Sequence, residues 1–216
     1  MNWRMVMYLS RIRLDTKKRS TMTAFSNPQK FHGAIESAFP GERERNLWRL
    51  DELGGETYML VLSEEIPDLS EAVKQFGHDG ESFETRDYDK LLERVTIGSR
   101  WQFRLTANPT ICKKKSEDAP RGKVMAHITV DHQEKWLADR AENHGFDLVP
   151  DEFRVTKSRS YSFSKHGERR VTLLSVTYDG ILTVTDPEKF RESMINGIGR
   201  GKAYGNGLLT IVRAGN

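Results

Sequence analysis

His32 follows Gln29 by three residues and precedes Glu36 by four. On a helix those spacings place the three side chains on one surface. Histidine is the side chain whose ordinary titration lies closest to neutrality, so His32 is a candidate for moving a proton near pH 7, although by itself it reads most simply as a surface helix histidine. A second stretch with chemical potential runs from Gly197 to Gly207, with five glycines in eleven residues. Such a loop admits positive φ and close approach of its backbone to a ligand. Arg200 and Lys202 add positive charge, Tyr204 adds a flat ring, and no acid interrupts the run. This suits a phosphate backbone, although the same pattern also describes a glycine-rich turn into a last strand, Leu208 to Val212. The third stretch is Lys157 to Arg170, which carries Lys157, Arg159, Lys165, Arg169 and Arg170. Two basic strands joined by a short turn can lie along a polyanion and meet its negative charges. The alternation of Tyr161 and Phe163 points to burial of one face of that hairpin.

The remaining histidines carry less. His127 and His132 are five apart, but no paired cysteines or HExxH spacing accompanies them, so no metal site is assigned. His78 and His144 read as solvated, and His166 sits in the basic turn, within reach of a phosphate. Cys112 is the one cysteine, which precludes an internal disulfide and fits a reducing cytoplasm. Nothing around it marks a nucleophile.

These residues must be positioned by a chain of 216 residues, 37% hydrophobic and 30% charged, enough for one large domain or two small ones with real cores. No apolar run approaches a membrane span, and Met1 to Met7 lacks the apolar core of a signal peptide. The net charge of +3 is unevenly spread. Residues 153–170 carry +5, residues 111–123 carry +3 and residues 197–213 carry +3, while residues 62–93 hold ten acids against three bases. A basic subset on a nearly neutral chain suggests one face for a polyanion. The bland alternative is three unrelated solvated loops.

The pattern divides into two halves. Met7 to Leu14 alternates as a first strand, followed by a polar basic stretch, Asp15 to Ser20. Ser26-Asn27-Pro28 starts a helix whose stripe is Phe31, Ala34, Ile35, Ala38 and Phe39, and Pro40-Gly41 stops it. Arg45 to Leu50 and Thr57 to Leu62 form a hairpin about Gly54-Gly55. Leu69 to Phe76 is a short helix, and Trp101 to Leu105 closes the half as a fourth strand. The order β-α-β-β-α-β is the ferredoxin-like pattern. A basic stretch without apolar period, 111–123, reads as a mobile linker. The second half holds a helix from Asp131 to Asn143, strands from Phe153 to Phe163 and Arg170 to Tyr178, a turn at Asp179-Gly180, and a strand from Ile181 to Thr185. A helix beginning at Asp186-Pro187 and a last strand complete it. The expected fold is α+β: two tandem ferredoxin-like domains with antiparallel sheets, 1–110 with the histidine and 124–216 with the basic hairpin and glycine-rich loop.

Four stretches in this order resemble the CasE-type endoribonucleases, the CRISPR RNA processing subunits of type I-E Cascade within the RAMP superfamily. They are Met7-Tyr8-Leu9-Ser10; Asn27-Pro28 with Phe31-His32; Phe103 to Pro109; and Gly197-Ile198-Gly199 through Gly205-Asn206-Gly207-Leu208-Leu209. Trp48-Arg49-Leu50 and Tyr178 to Val184 also fit. The resemblance implies cleavage at the 3′ base of a repeat stem-loop without a metal or other cofactor. It also implies a product that stays bound beside other Cascade subunits. The family's catalytic histidine falls on His32, and its basic hairpin falls on Lys157 to Arg170. Family members often carry a tyrosine where this chain has Gln29, which can donate a hydrogen bond to a phosphate but cannot shuttle a proton. RNA brings its own nucleophile, the 2′-OH, so a proton-moving group and a mould for in-line attack suffice. The products would be a 2′,3′-cyclic phosphate and a 5′-OH. Two other classes fit the same surface: a non-catalytic scaffold for stem-loop RNA, and a protein-interaction domain for an acidic partner.

Overall fold

Ile12 and Leu14 are buried on β1 (Tyr8–Leu14), while Arg11 beside them faces solvent. This strand is central to the first sheet in a computed structural model that describes residues 6–39, 41, 46–113, 122–165 and 169–214, without the side chains of Lys113, Lys165 and Arg169. The chain continues through α1 (Arg19–Ser26), α2 (Gln29–Glu36), β2 (Leu47–Leu53), β3 (Glu56–Ser63), α3 (Ser70–Phe76) and β4 (Glu84–Asp87). The strands lie in the order β4-β1-β3-β2, each antiparallel to its neighbours. Phe31, Ala34 and Ile35 of α2 pack with Ala24 of α1 and Val73 and Phe76 of α3 against Ile12, Trp48, Met59 and Val61 of the sheet.

After the short α4 (Asp89–Leu92) come β5 (Arg100–Ala107), β6 (Thr110–Lys113), β7 (Lys123–Ala126), α5 (Val130–Ala141), β8 (Phe146–Asp147), β9 (Phe153–Lys165), β10 (Arg169–Val184), α6 (Pro187–Asn196) and β11 (Leu209–Arg213). The second sheet runs β11-β5-β10, with β9 along β10 and β8 beside its far end. Both sheets therefore repeat the spatial order fourth-first-third-second, the ferredoxin-like arrangement expected from the sequence.

Several expectations are corrected. The strand at 101–105 belongs to β5, which pairs with β10 and β11, so it opens the second unit and a division at residue 110 cuts through the second sheet. The fourth strand of the first unit is β4, a polar segment recognised by its backbone pairing to β1 rather than by apolar alternation. The polar stretch from Asp15 leads directly into α1, which lacks a long apolar stripe. That helix is anchored by buried Ala24 and by the Thr21 hydroxyl, which donates to the Phe76 carbonyl at 3.0 Å. The stretch 111–123, read as linker, supplies part of an antiparallel hairpin of residues 110–113 and 123–126, and 114–121 lie outside the described residues. Asp179-Gly180 is no turn: β10 runs through it, and a register irregularity falls between Thr177 and Tyr178.

Candidate nucleic-acid interface

α2 is held by its buried stripe, and Asn27 Oδ1 accepts from the Gln29 amide at its start. His32 therefore projects beside the stripe, with its side chain 16% exposed. Its Nε2 lies 3.3 Å from Glu36 Oε1, one turn on. Its ring meets the edge of Tyr204 at 6.3 Å between centroids. The histidine of the first unit thus touches the glycine-rich segment of the second. Gln29 sits on the same helix, and its amide oxygen is buried without a hydrogen-bond partner among the described residues.

The glycine-rich segment is fastened from below. Trp48 on β2 donates its indole N–H to the Ala203 carbonyl at 3.3 Å, and the 3-10 turn Lys202–Tyr204 presents the Tyr204 ring. Gly199 and Gly201 adopt φ of +85° and +82°. A Cβ there would meet the Trp136 ring at 3.1 Å and Leu173 Cδ1 at 2.9 Å, respectively. Positive φ, which the sequence suggested, and these close side-chain neighbours both favour glycine at the two positions. Arg200 is exposed and its backbone bridges to Asn108, whereas the Lys202 ammonium donates to the Asn196 carbonyl.

β10 pairs with β5 only from Val176 to Thr183, so the part of the β9–β10 hairpin beyond Val176 is a two-stranded ribbon. One face of β9 carries Lys157, Arg159, Tyr161 and Phe163 in alternation. Phe163 is buried and packs edge-on against Tyr204 at 5.1 Å, which makes a row His32–Tyr204–Phe163. Arg159 stacks over the Tyr161 ring at 5.0 Å. Lys157 pairs with Glu52 of β2 at 2.6 Å, and that ammonium holds the Glu52 carboxyl below its ordinary range. The Arg170 guanidinium donates to the Ser162 hydroxyl at 2.7 Å. The side chains of Lys165 and Arg169, and residues 166–168 with His166, lie outside the described part.

Sequence reasoning missed the pair that joins the units. Arg49 is 1% exposed, and its five N–H groups are all engaged. Nε and Nη2 donate to the two Asp51 oxygens at 2.7 Å, Nη1 donates to the Arg104 and Leu208 carbonyls at 2.8 and 2.9 Å, and Nη2 reaches the Thr210 hydroxyl at 2.7 Å. Arg104 in turn is locked to Asp179 at 2.6 Å. On β2, Leu47, Arg49 and Asp51 share one face, which the second unit covers. Trp48 and Leu50 share the other, in the first core. From sequence, alternating Arg and Asp resemble a solvated strand face; only the covering sheet reverses that.

The other histidines fall elsewhere. His144 is half-buried rather than solvated, with Nδ1 at 2.7 Å from the Ser193 hydroxyl. His78 is likewise only part-exposed, with Nε2 buried. His127 and His132 stack at 5.7 Å, and no group of three metal-ligating side chains gathers among the described residues. Cys112 is an exposed free thiol.

Two ferredoxin-like units, with a histidine from one set against an aromatic and cationic surface of the other, define a tandem ferredoxin-like protein with its candidate site at the junction. The chain belongs to the CRISPR-associated protein family, whose model matches residues 7–213. It is 30% identical to the CRISPR-associated endoribonuclease Cse3 of Thermus thermophilus, over 95% of this chain and 99% of that protein. The solved structure of Thermus thermophilus Cse3 bound to an RNA representing a pre-cleavage complex matches with a TM-score of 0.78 at 27% identity, covering 96% of this chain and 99% of that one. A chain of a pre-nicking CRISPR RNA-guided surveillance complex shares the fold, with a TM-score of 0.64 at 24% identity over 96% of this chain and all of that one (100%). The family resemblance read from the ordered motifs is borne out.

Proposed function

We propose that this protein is an endoribonuclease that cuts CRISPR repeat stem-loops in precursor RNA without a metal ion and keeps its product as a subunit of a Cascade-type complex. The observation that carries this is the contact of His32 with Tyr204, which brings the proton-moving group of one unit to the cationic hairpin and loop of the other. Arg159, Arg170 and Arg200 are exposed and meet the phosphates of the stem. Lys157 and Lys202 add charge to the same surface, and the sequence assigns Lys165 and Arg169 to RNA binding as well. Gly199 and Gly201 give the loop its shape, and Tyr204 is the wall against which the scissile ribose rests.

His32 moves a proton while the 2′-oxygen attacks the adjacent phosphorus. The P–O5′ bond breaks as the new P–O2′ bond forms, and the 2′-OH proton leaves as the 5′-oxygen gains one. The products are a 2′,3′-cyclic phosphate and a 5′-OH. Glu36 at 3.3 Å orients the ring. Gln29 donates a hydrogen bond to a phosphate oxygen and carries no proton. The lone exposed thiol fits work in a reducing cytoplasm.

Incubating repeat RNA in EDTA with wild type and with His32→Ala tests the assignment. Wild type is expected to cut and leave the stated ends. His32→Ala is expected to bind with unchanged affinity and cut at least about 100-fold more slowly. Gln29 favours one competing reading, a stem-loop scaffold, because it removes a proton-active side chain from the helix. Wild type that binds the hairpin and never cuts would establish the scaffold.

A further inference from the structure

A cavity of about 170 Å³ lies between the two units, under the β9–β10 ribbon. Aromatic rings line it from both sides, Phe25 of α1 and Trp48 of β2 from the first unit, Tyr161 of β9 and Tyr204 from the second, together with Asp51 and Glu52, the latter paired with Lys157. Lys157 and Arg159, both exposed, stand at its rim. Deeper in, the Thr106 and Thr177 hydroxyls share a hydrogen bond at 3.0 Å, and either can act as donor or acceptor. Tyr204 belongs to this wall and also touches His32, so the cavity adjoins the candidate cleavage site.

We propose that this cavity is a subsite for one unpaired nucleobase of the bound RNA, held between aromatic rings while Lys157 and Arg159 meet the neighbouring phosphates. The chemistry narrows the occupant. Cations at the rim disfavour a purely apolar guest. The volume admits a single flat base and not a base pair. Aromatic faces stack on any base, and hydroxyls serve any base edge. Arg159 already stacks on Tyr161, so the platform and its phosphate partner are assembled before RNA arrives. Because each unit supplies a wall, the occupant also bridges the two units beside His32. The proposal rests on the reading that this chain binds repeat RNA, but not on its cutting that RNA.

The test uses the full chain in EDTA and a repeat hairpin with single-stranded flanks. Each flanking nucleotide is replaced in turn by an abasic residue, and affinity is measured for wild type, Tyr161→Ala and Tyr161→Phe. One position is expected to cost wild type about tenfold in affinity when its base is removed. The same removal is expected to cost Tyr161→Ala almost nothing, because the ring it stacks on is gone, and Tyr161→Phe is expected to behave as wild type. Abasic effects that add to Tyr161→Ala at every position would overturn the subsite. Cleavage is scored separately on the same samples. RNA that is cut while all effects add removes the subsite and leaves the nuclease. RNA that shows the non-additive position without being cut keeps the subsite and removes the nuclease.

Discussion

His32 and His144 show how much the surroundings of an imidazole decide. His32 sits part-exposed between Glu36 and Tyr204. His144 is half-buried against Ser193, and burial, helped by Arg140 and Lys202, pulls its pKa below the ordinary 6.5. The unfolded chain therefore takes up a proton there before the folded chain does. Stability from this residue is complete above about pH 6.5 and is lost as pH falls toward the lower folded value. His144→Gln cannot titrate, so its melting temperature is expected to fall less than that of wild type between pH 7 and pH 5. Parallel falls measured by calorimetry would contradict this. The family resemblance singled out His32, which type and spacing alone left as a surface helix histidine. The sequence misjudged His144, because exposure at a helix end depends on what packs there, here α6.

At the scale of elements, the β9–β10 ribbon is the decisive piece, and Gly180 is what lets it join the sheet. A Cβ at Gly180 would lie 2.4 Å from the Glu152 carbonyl oxygen and 2.4 Å from Phe153 Cα, both backbone atoms that cannot step aside cheaply. Gly180→Ala is expected to destabilise the fold by about 2 kcal/mol or more, measured by urea unfolding. A loss within about 0.5 kcal/mol, the size of an ordinary surface substitution, would show that the bulge relaxes. The Asp-Gly pair reads as a turn in sequence, since the same freedom from Cβ serves a tight turn and a close backbone contact. The proposed role of the ribbon makes a prediction about salt. Replacing Lys157 and Arg159 together is expected to make the salt dependence of RNA affinity shallower, because fewer counterions are released. An unchanged slope would place both side chains off the RNA.

At the scale of the whole molecule, the two units are held in register by the buried Arg49–Asp51 pair and its bonds to β5 and β11. Arg49→Met leaves the buried Asp51 carboxylate with only the more distant Arg104, 3.9 Å away, and is expected to cost about 3 kcal/mol. The double variant Arg49→Met with Asp51→Leu removes both charges and is expected to recover most of that in urea unfolding. A double variant as weak as the single one would mean that packing, not charge, holds the junction.

Residue types and local spacing settle much of this protein. The apolar stripe of α2, the alternation in β1, β2 and β3, the Asp186 cap and the basic runs were all legible, because a helix or strand with one buried face writes its period into the chain. The ordered motifs carried the family. The partners of β4 and β5 were not legible, because a strand's own side chains do not say which sheet its backbone joins. The family resemblance implied that His32 would meet the glycine-rich segment, but the contacts that join the two units there were not legible. His32, Trp48 and Tyr204 are brought together only when two separately periodic halves dock, and docking depends on surfaces that both halves make and neither spells out alone.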